Sequence, residues 1–263
     1  MHFWKAHAYG NDFLYAPMAQ ADGQDWAALA RRMCARTTGI GADGLILFEP
    51  TPDGARMRLH NTDGSIAEVS GNGVRGLGAI LARERGGEPG AVYIVQTDAG
   101  EKSLDLVARD ADERPVFRAA MGQPEHLIQR EIDVDGRTLP FVTLWMGNPQ
   151  AVWLVDALDH GEMLRVGAAL QRHPAFPDAV NVELAHVKSP GEVEILIYER
   201  GVGPTSSSGT GSCASAVAAA AYGGAARDLD IVAPGGRQRV EWRDEGVFLT
   251  GWAEVVCEGT WLG

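Results

Sequence analysis

The sequence predicts a mixed α/β protein of two pseudo-symmetric lobes, each a curved, mostly antiparallel sheet wrapped around a central helix. The first observation is an internal repeat: Ser70-Gly71-Asn72-Gly73 and Ser208-Gly209-Thr210-Gly211 lie 138 residues apart, and each opens an apolar segment. The second is a series of short apolar runs separated by Gly, Pro or Asp, which is typical of strands. The third is that both segments after the glycine motifs are apolar, as helices buried within a lobe must be.

The internal repeat extends beyond the glycine motifs. Three further pairs keep the same order at an offset of 137 or 138 residues: Asn11 with Asn148, Asp43 with Asn181, and Asn61 with Glu199. Four matches at nearly one offset indicate duplication and fusion of a half-length unit. We therefore predict an N-terminal lobe over residues 1–120 and a C-terminal lobe over residues 121–263, with the extreme C terminus free to pack back on the first lobe.

Strands account for most of the predicted elements. The runs with strand character are Ala91–Val95, Leu104–Ala108, Val116–Ala120, Phe141–Trp145, Ala151–Val155, Val193–Tyr198 and Gly246–Thr250. Amphipathic patterns predict helices over Trp26–Arg36 and Gly161–Arg172. The two central helices follow the glycine motifs, and the second must be buried on every side because no charged residue occurs from Gly201 to Ala226.

Composition limits the classes of function. The chain of 263 residues has a formal net charge of −12, which argues against nucleic-acid binding because phosphates require a basic surface. Three separated cysteines, Cys34, Cys213 and Cys257, favour a reduced, cytoplasmic protein without a disulfide scaffold, and no metal site is expected. The N terminus has no signal-peptide character, and no apolar run reaches the ~20 residues of a membrane helix. The expected partner is a small molecule.

The two glycine motifs are the candidate binding elements. A helix N terminus presents unpaired backbone N–H groups and a partial positive charge, which suit a carboxylate or a phosphate. We predict that both central helices point their N termini at a cleft between the lobes and hold one anionic group from two sides. A strand-to-helix turn with a serine N-cap explains a single copy better. Two copies, each nine residues after Asn61 or Glu199, favour binding.

These residues give the chain a specific resemblance to the diaminopimelate epimerase family of cofactor-independent amino-acid racemases and epimerases. The matching segments are Lys5-Ala6-His7-Ala8-Tyr9-Gly10-Asn11-Asp12-Phe13, Thr38-Gly39-Ile40-Gly41-Ala42-Asp43-Gly44, Asn61-Thr62-Asp63-Gly64-Ser65, Gly71-Asn72-Gly73, Gly147-Asn148-Pro149, Val180-Asn181, Glu199-Arg200-Gly201 and Gly209-Thr210-Gly211. They run nearly end to end. The resemblance implies the same two-lobed fold, an isomerase without a cofactor, and diaminopimelate as the default substrate in lysine biosynthesis.

The resemblance also implies a two-base mechanism. In the family, two cysteines at the heads of the two helices flank the substrate α-carbon, and a His and a Glu assist them. One thiolate removes the α-proton while the opposite thiol delivers a proton to the other face. The substrate-binding residues implied here are Asn11, Asn61, Gly71, Asn72, Asn148, Asn181, Arg200, Gly209 and Thr210. Arg200 would pair with a distal carboxylate. For Asn11 and Asn148, structural roles in turns and caps also stay open. A homodimer stays open as well.

The catalytic positions depart from the family pattern. Both cysteines are serine here, Ser70 and Ser208, the assisting His is Gln150, and only Glu199 remains of the four acid–base groups. A thiol has a pKa near ~8.5, whereas a hydroxyl is a far weaker acid and requires an adjacent base. We hypothesise that Glu199 is the main base, that Ser208 positions or relays the proton, and that Ser70 joins the helix-terminal donors that hold the carboxylate.

Several alternatives stay open at this point. Engineered serines would trap an inactive complex, although Gln150 favours natural divergence. An epimerase could exchange protons slowly through hydroxyl groups or water. A tautomerase, double-bond isomerase or lyase would need only Glu199 on one face, and an inactive amino-acid-binding paralogue would need no base.

Overall fold

Short apolar runs separated by turn residues form eighteen strands, and four α-helices connect or follow them. The computed structural model describes residues 1–263. In chain order the elements are β1 (His2–Ala8), β2 (Asn11–Pro17), a 3-10 turn (Met18–Gln20), α1 (Trp26–Cys34), β3 (Gly44–Thr51), β4 (Gly54–Asn61), β5 (Ile66–Ala67), α2 (Gly71–Arg85), β6 (Val92–Thr97), β7 (Gly100–Arg109), β8 (Pro115–Gly122), β9 (Glu125–Val134), β10 (Arg137–Trp145), β11 (Pro149–Leu154), α3 (His160–Leu170), β12 (Asn181–Ser189), β13 (Glu192–Glu199), β14 (Gly203–Thr205), α4 (Gly209–Tyr222), β15 (Asp228–Ala233), β16 (Gly236–Arg243), β17 (Gly246–Trp252) and β18 (Glu254–Thr260). All seven predicted strand runs and all four predicted helices are confirmed, with differences of a few residues at their ends. None of the helices is long and apolar enough to cross a membrane.

The chain divides into two units. The first comprises Met1–Ala119 and Gly251–Gly263, and the second comprises Ala120–Thr250. The C-terminal residues belong to the first unit because β18 pairs antiparallel with β1, with Phe3 opposite Gly259.

Each unit repeats one pattern of strand pairing. In the first unit the neighbouring strands are β18, β1, β2, β3, β4, β6, β7 and β8, and only β2–β3 and β4–β6 are parallel. In the second they are β9, β10, β11, β12, β13, β15, β16 and β17, and only β11–β12 and β13–β15 are parallel. The parallel pairs occupy equivalent places, and each unit has one helix between its first parallel pair and one central helix later. The internal duplication and the mostly antiparallel fold class are thus confirmed.

The central helix of each unit forms the middle of that unit's core. Helix α2 is buried from Asn72 to Ala82, where it packs against apolar side chains from the surrounding strands. Helix α4 is buried over most of its length and consists almost entirely of small residues, which allows strands to approach it closely. In α2 the close approach of the surrounding strands depends on glycine residues. A Cβ on Gly76 would lie 2.1 Å from the hydroxyl oxygen of Tyr15, a fully buried side chain.

We expect Gly76→Ala to lower the free energy of unfolding by about 2 kcal/mol, because overpacking a rigid core costs about 1–3 kcal/mol. The Tyr15 hydroxyl cannot move aside cheaply, since it donates a hydrogen bond to the Gly73 carbonyl oxygen at 2.9 Å. Urea unfolding of the purified variant measures the change. Gly71→Ala is the matched control in the same helix, because a Cβ there meets nothing within 4 Å. Equal stability of both variants would contradict this account of the packing.

Candidate active site

In the first unit, Ser70 is the N-cap of α2. Its backbone is extended, and its hydroxyl oxygen accepts a hydrogen bond from the Gly73 backbone N–H at 3.1 Å. This bond satisfies one of the N–H groups that a helix N terminus leaves unpaired. Ser70 therefore has a structural role, and its role in the reaction stays a prediction.

Three predicted polar residues of the first unit lie at the ends of strands or in the first turn of α2: Asn11, Asn61 and Asn72. The side chain of Asn72 is buried and donates to Asn11 Oδ1 at 3.1 Å, and Asn11 donates to Asp43 Oδ2 at 2.8 Å. The structure thus brings Asn11, Asn72 and Asp43 into one hydrogen-bonded chain. Asn61 instead donates to Ser65 Oγ at 2.9 Å within its own turn. The repeat and the family resemblance both include Asp43, but neither predicts its contact with Asn11, which arises from the fold.

In the second unit, Ser208 repeats the capping arrangement. It is buried, and its hydroxyl oxygen accepts from the Gly211 backbone N–H at 3.2 Å. Gly209 and Thr210 form the first residues of α4. By helix geometry their N–H groups have no partner within the helix, so this turn can bind an anion.

One sheet face of the second unit carries four polar side chains toward α4. Gln150 lies opposite Asn181 in the parallel pair β11–β12, and Glu183 lies opposite Ile197 in the antiparallel pair β12–β13. Because alternate residues of a strand share a face, Asn181 lies on the same face as Glu183, and Glu199 on the same face as Ile197. The fold therefore gathers three predicted residues and Glu183 beneath one helix.

Gln150 is almost fully buried and is held by side chains on three sides. The orientation of its amide is assigned from the hydrogen-bond network. With the nitrogen facing Glu183, Gln150 donates to the two carboxyl oxygens at 3.1 and 3.3 Å, and its oxygen accepts from the Thr210 hydroxyl at 3.2 Å. The same end of the amide contacts the side chain of Asn148. Three predicted residues, Asn148, Gln150 and Thr210, are thereby brought together.

Glu183 is the site residue that the sequence reasoning missed. Its side chain is fully buried, and burial, followed by the negative charge of Glu199, raises the pKa of its carboxyl group well above the usual value. The signal was present in the sequence, because Glu183 is the one charged residue in the otherwise apolar run that follows Asn181. A carboxyl group in a strand buried on both faces requires a partner.

Asn181 and Arg200 lie at the end of the same strand pair. The Asn181 side chain donates to the Pro149 carbonyl oxygen at 3.1 Å and accepts from the Arg200 backbone N–H at 2.9 Å. The Arg200 side chain is exposed, and its guanidinium group donates to the Asp178 carbonyl oxygen at 3.4 Å. Asn181 thus fixes the backbone at Arg200, whose charged end is accessible to an anionic ligand.

The arrangement in the second unit combines anion-binding N–H groups with two carboxyl groups in different environments. Burial raises the pKa of the Glu183 carboxyl group well above its usual value, whereas Glu199 is only partly buried at the end of β13. Two carboxyl groups in unlike environments are suited to acid and base roles. No group of three or more His, Cys, Asp or Glu side chains is placed to hold a metal ion.

Comparison with known proteins places the chain in a family. The family described as diaminopimelate epimerase matches residues 3–127 and 142–256. The diaminopimelate epimerase of Desulforudis audaxviator is 39% identical over 279 residues, which span 100% of this chain and 99% of that protein. That of Desulfitobacterium hafniense is 36% identical over 280 residues, spanning 100% and 98%. The solved structure of a predicted epimerase from Pseudomonas aeruginosa has the same fold, with a TM-score of 0.73 at 18% identity and coverage of 100% and 99%. The chain belongs to the diaminopimelate epimerase family.

Proposed function

We propose that this protein is a cofactor-independent epimerase that inverts the α-carbon of an amino acid, with diaminopimelate as the first substrate to test. The observation that carries the proposal is the serine-capped, glycine-rich N terminus of a buried helix, which occurs in both units of a member of this family. In the second unit, Glu199 lies on the sheet face that packs against this helix. A carboxylate-binding turn and a carboxylate base are the two parts that α-proton abstraction requires.

The proposed mechanism begins with Glu199. Its carboxylate takes the α-proton, and the electron pair of the broken C–H bond moves into the substrate carboxylate. The N–H groups of Gly209 and Thr210 stabilise the charge that develops there. A hydroxyl group or a water molecule then delivers a proton to the opposite face and regains a proton from solvent, while Glu199 releases its own proton to solvent. Ser208 orients the turn through its cap.

Arg200 is the feature that favours a substrate with a second carboxylate. It follows Glu199 directly, and the hydrogen bond from Asn181 holds its backbone. A guanidinium group can bind a carboxylate through two hydrogen bonds. We propose that Arg200 binds the distal carboxylate of diaminopimelate, while Asn148, Asn181 and Thr210 line the substrate.

A second candidate is isomerisation or elimination on one face of a small carboxylate. It is favoured by Ser70, Ser208 and Gln150, which stand where the family resemblance implies two thiols and a histidine. A hydroxyl group is a poor proton donor to a carbanion without an adjacent acid. Glu199 acting alone would remove and return a proton on the same face.

Proton exchange in deuterated water tests the proposed function. The protein is incubated with LL-diaminopimelate and a panel of amino acids, and the α-proton is followed by NMR. We expect loss of the α-proton signal together with formation of the meso isomer. Exchange with retention of configuration would support one-face chemistry instead. Binding without any exchange would exclude an epimerase and leave an amino-acid-binding paralogue.

A further inference from the structure

The two units differ at one buried position beneath the central helix. In the first unit, a Cβ on Gly73 would lie 2.8 Å from the Cδ1 atom of Ile46. In the second unit, a Cβ on Gly211 would lie 2.5 Å from Oε1 of Glu183. The same place under the second glycine of the motif is therefore filled by an apolar side chain in one unit and by a carboxyl group in the other. Packing alone does not require a carboxyl group there.

The carboxyl group of Glu183 is instead used for hydrogen bonding. Gln150 donates to its oxygens at 3.1 and 3.3 Å, and the other end of the Gln150 amide accepts from the Thr210 hydroxyl at 3.2 Å. An isolated glutamine amide can turn over, because its oxygen and nitrogen have nearly the same shape. In this orientation the Gln150 nitrogen donates to Glu183 and the oxygen accepts from Thr210, so Glu183 holds the nitrogen end of the amide.

We propose that Glu183 is a positioning residue, which fixes the Gln150 amide and through it the Thr210 side chain in the first turn of α4. The inference rests on the proposed function, in which this turn binds the substrate carboxylate. Glu183 itself touches no substrate, because its side chain is fully buried.

The elements that pack around Glu183 are mostly uncharged. Burial raises the pKa of its carboxyl group, and so does the charge of Glu199 on the neighbouring strand. Helix α4 and strand β11, which also pack here, carry no charged residue. Whether or not it carries a proton, the Glu183 carboxyl group keeps at least one oxygen that accepts from Gln150.

Steady-state kinetics of LL-diaminopimelate epimerisation test the proposal. We expect Glu183→Met to raise KM by at least about tenfold and to leave kcat within about twofold, because positioning of the binding turn is lost. Glu183→Gln should keep KM within about twofold, since a neutral amide also accepts from Gln150. Gln150→Met should reproduce the effect of Glu183→Met, and the double variant should be no worse than either, as expected for residues that act through one another.

Glu194→Met is the matched control. Glu194 lies on the opposite face of β13 and binds Lys188 at 2.9 Å, so its loss should leave KM and kcat unchanged. A fall in kcat at constant KM in Glu183→Met would show a merely structural role and overturn the proposal. An increase in KM in the Glu183→Met/Gln150→Met variant that equals the product of the two single increases would also overturn the proposal. If Glu183→Met does not fold, Gln150→Met and Thr210→Val must each raise KM by a similar factor. Combining these two substitutions must then raise KM no further than either does alone.

The epimerase activity and the positioning role of Glu183 can be tested separately. If the wild-type protein neither binds nor exchanges any amino acid, the proposed function is wrong. NMR of the labelled protein then tests the positioning without a substrate. We expect Glu183→Met to shift the amide signals of the Gln150 side chain and the Thr210 backbone. Glu183→Gln should shift the Thr210 signal much less, because its side chain still accepts from Gln150. An unchanged Thr210 signal in Glu183→Met would contradict the proposal.

Discussion

Glu199→Gln is expected to lower the rate of α-proton exchange by about a thousandfold or more, because general base catalysis contributes about 10²–10⁴-fold and no other carboxylate is available to replace it. Glu183, the other acidic side chain on this face of β12 and β13, is fully buried, and burial raises the pKa of its carboxyl group well above the usual value. Glutamine has the same shape as glutamate but cannot take a proton, so the variant tests the base rather than the packing. The measurement is exchange of LL-diaminopimelate in deuterated water.

Ser70→Ala is the comparison for this loss. It removes the cap of α2, which accepts from Gly73 at 3.1 Å, and costs about 1 kcal/mol of stability. We expect exchange to fall only several-fold, because the backbone N–H groups of the turn remain. Urea unfolding verifies that both variants are folded. Equal, large losses in Glu199→Gln and Ser70→Ala would instead indicate a mechanism in which two serines act as bases.

Replacing both serines by cysteine is expected to raise the rate of epimerisation by at least about a hundredfold. A thiol has a pKa near ~8.5, and the N terminus of a helix lowers it further, so a substantial fraction is thiolate at neutral pH. A hydroxyl group at the same position stays protonated. Since Ser70 and Ser208 begin α2 and α4, Ser70→Cys/Ser208→Cys places a thiol at the head of each central helix.

The single variants and the matched double alanine variant complete this experiment. Either cysteine alone should give a smaller gain, and Ser70→Ala/Ser208→Ala should give none. The larger sulfur atom at buried Ser208 is expected to lower the free energy of unfolding by about 1–3 kcal/mol, which urea unfolding measures. An unchanged rate in a folded double cysteine variant would show that acidity at these positions does not limit the reaction. It would favour one-face chemistry by Glu199.

Gln150 illustrates how a departure from the family pattern is accommodated. A buried amide requires partners for both its donor and its acceptor ends. Glu183 and Thr210 supply them at 3.1–3.3 Å. Glu183 and Gln150 form a buried hydrogen-bonded pair in the second unit. Introducing a histidine at position 150 would therefore change the partner of Glu183 as well as the reacting groups.

The order of the helices and strands was evident from the sequence because it depends on local patterns. Short apolar runs gave the strands, and the charge-free segment from Gly201 to Ala226 gave the buried helix α4. The duplication was evident because residues at an almost constant offset, such as Asn11 and Asn148, preserve a record of two equivalent halves. The family followed from motifs in order and spacing.

Tertiary structure alone decided which polar groups meet. It paired β18 with β1 at the other end of the chain. It also placed the Asn181 side chain in hydrogen bonds with the backbone of Pro149 and Arg200. It also buried Glu183 beneath Gly211 and joined it to Gln150. These contacts connect residues tens to hundreds of positions apart, and burial then determines the charge of the groups involved. Local sequence specifies neither the partner of a buried side chain nor its desolvation, because both arise only when distant segments pack together.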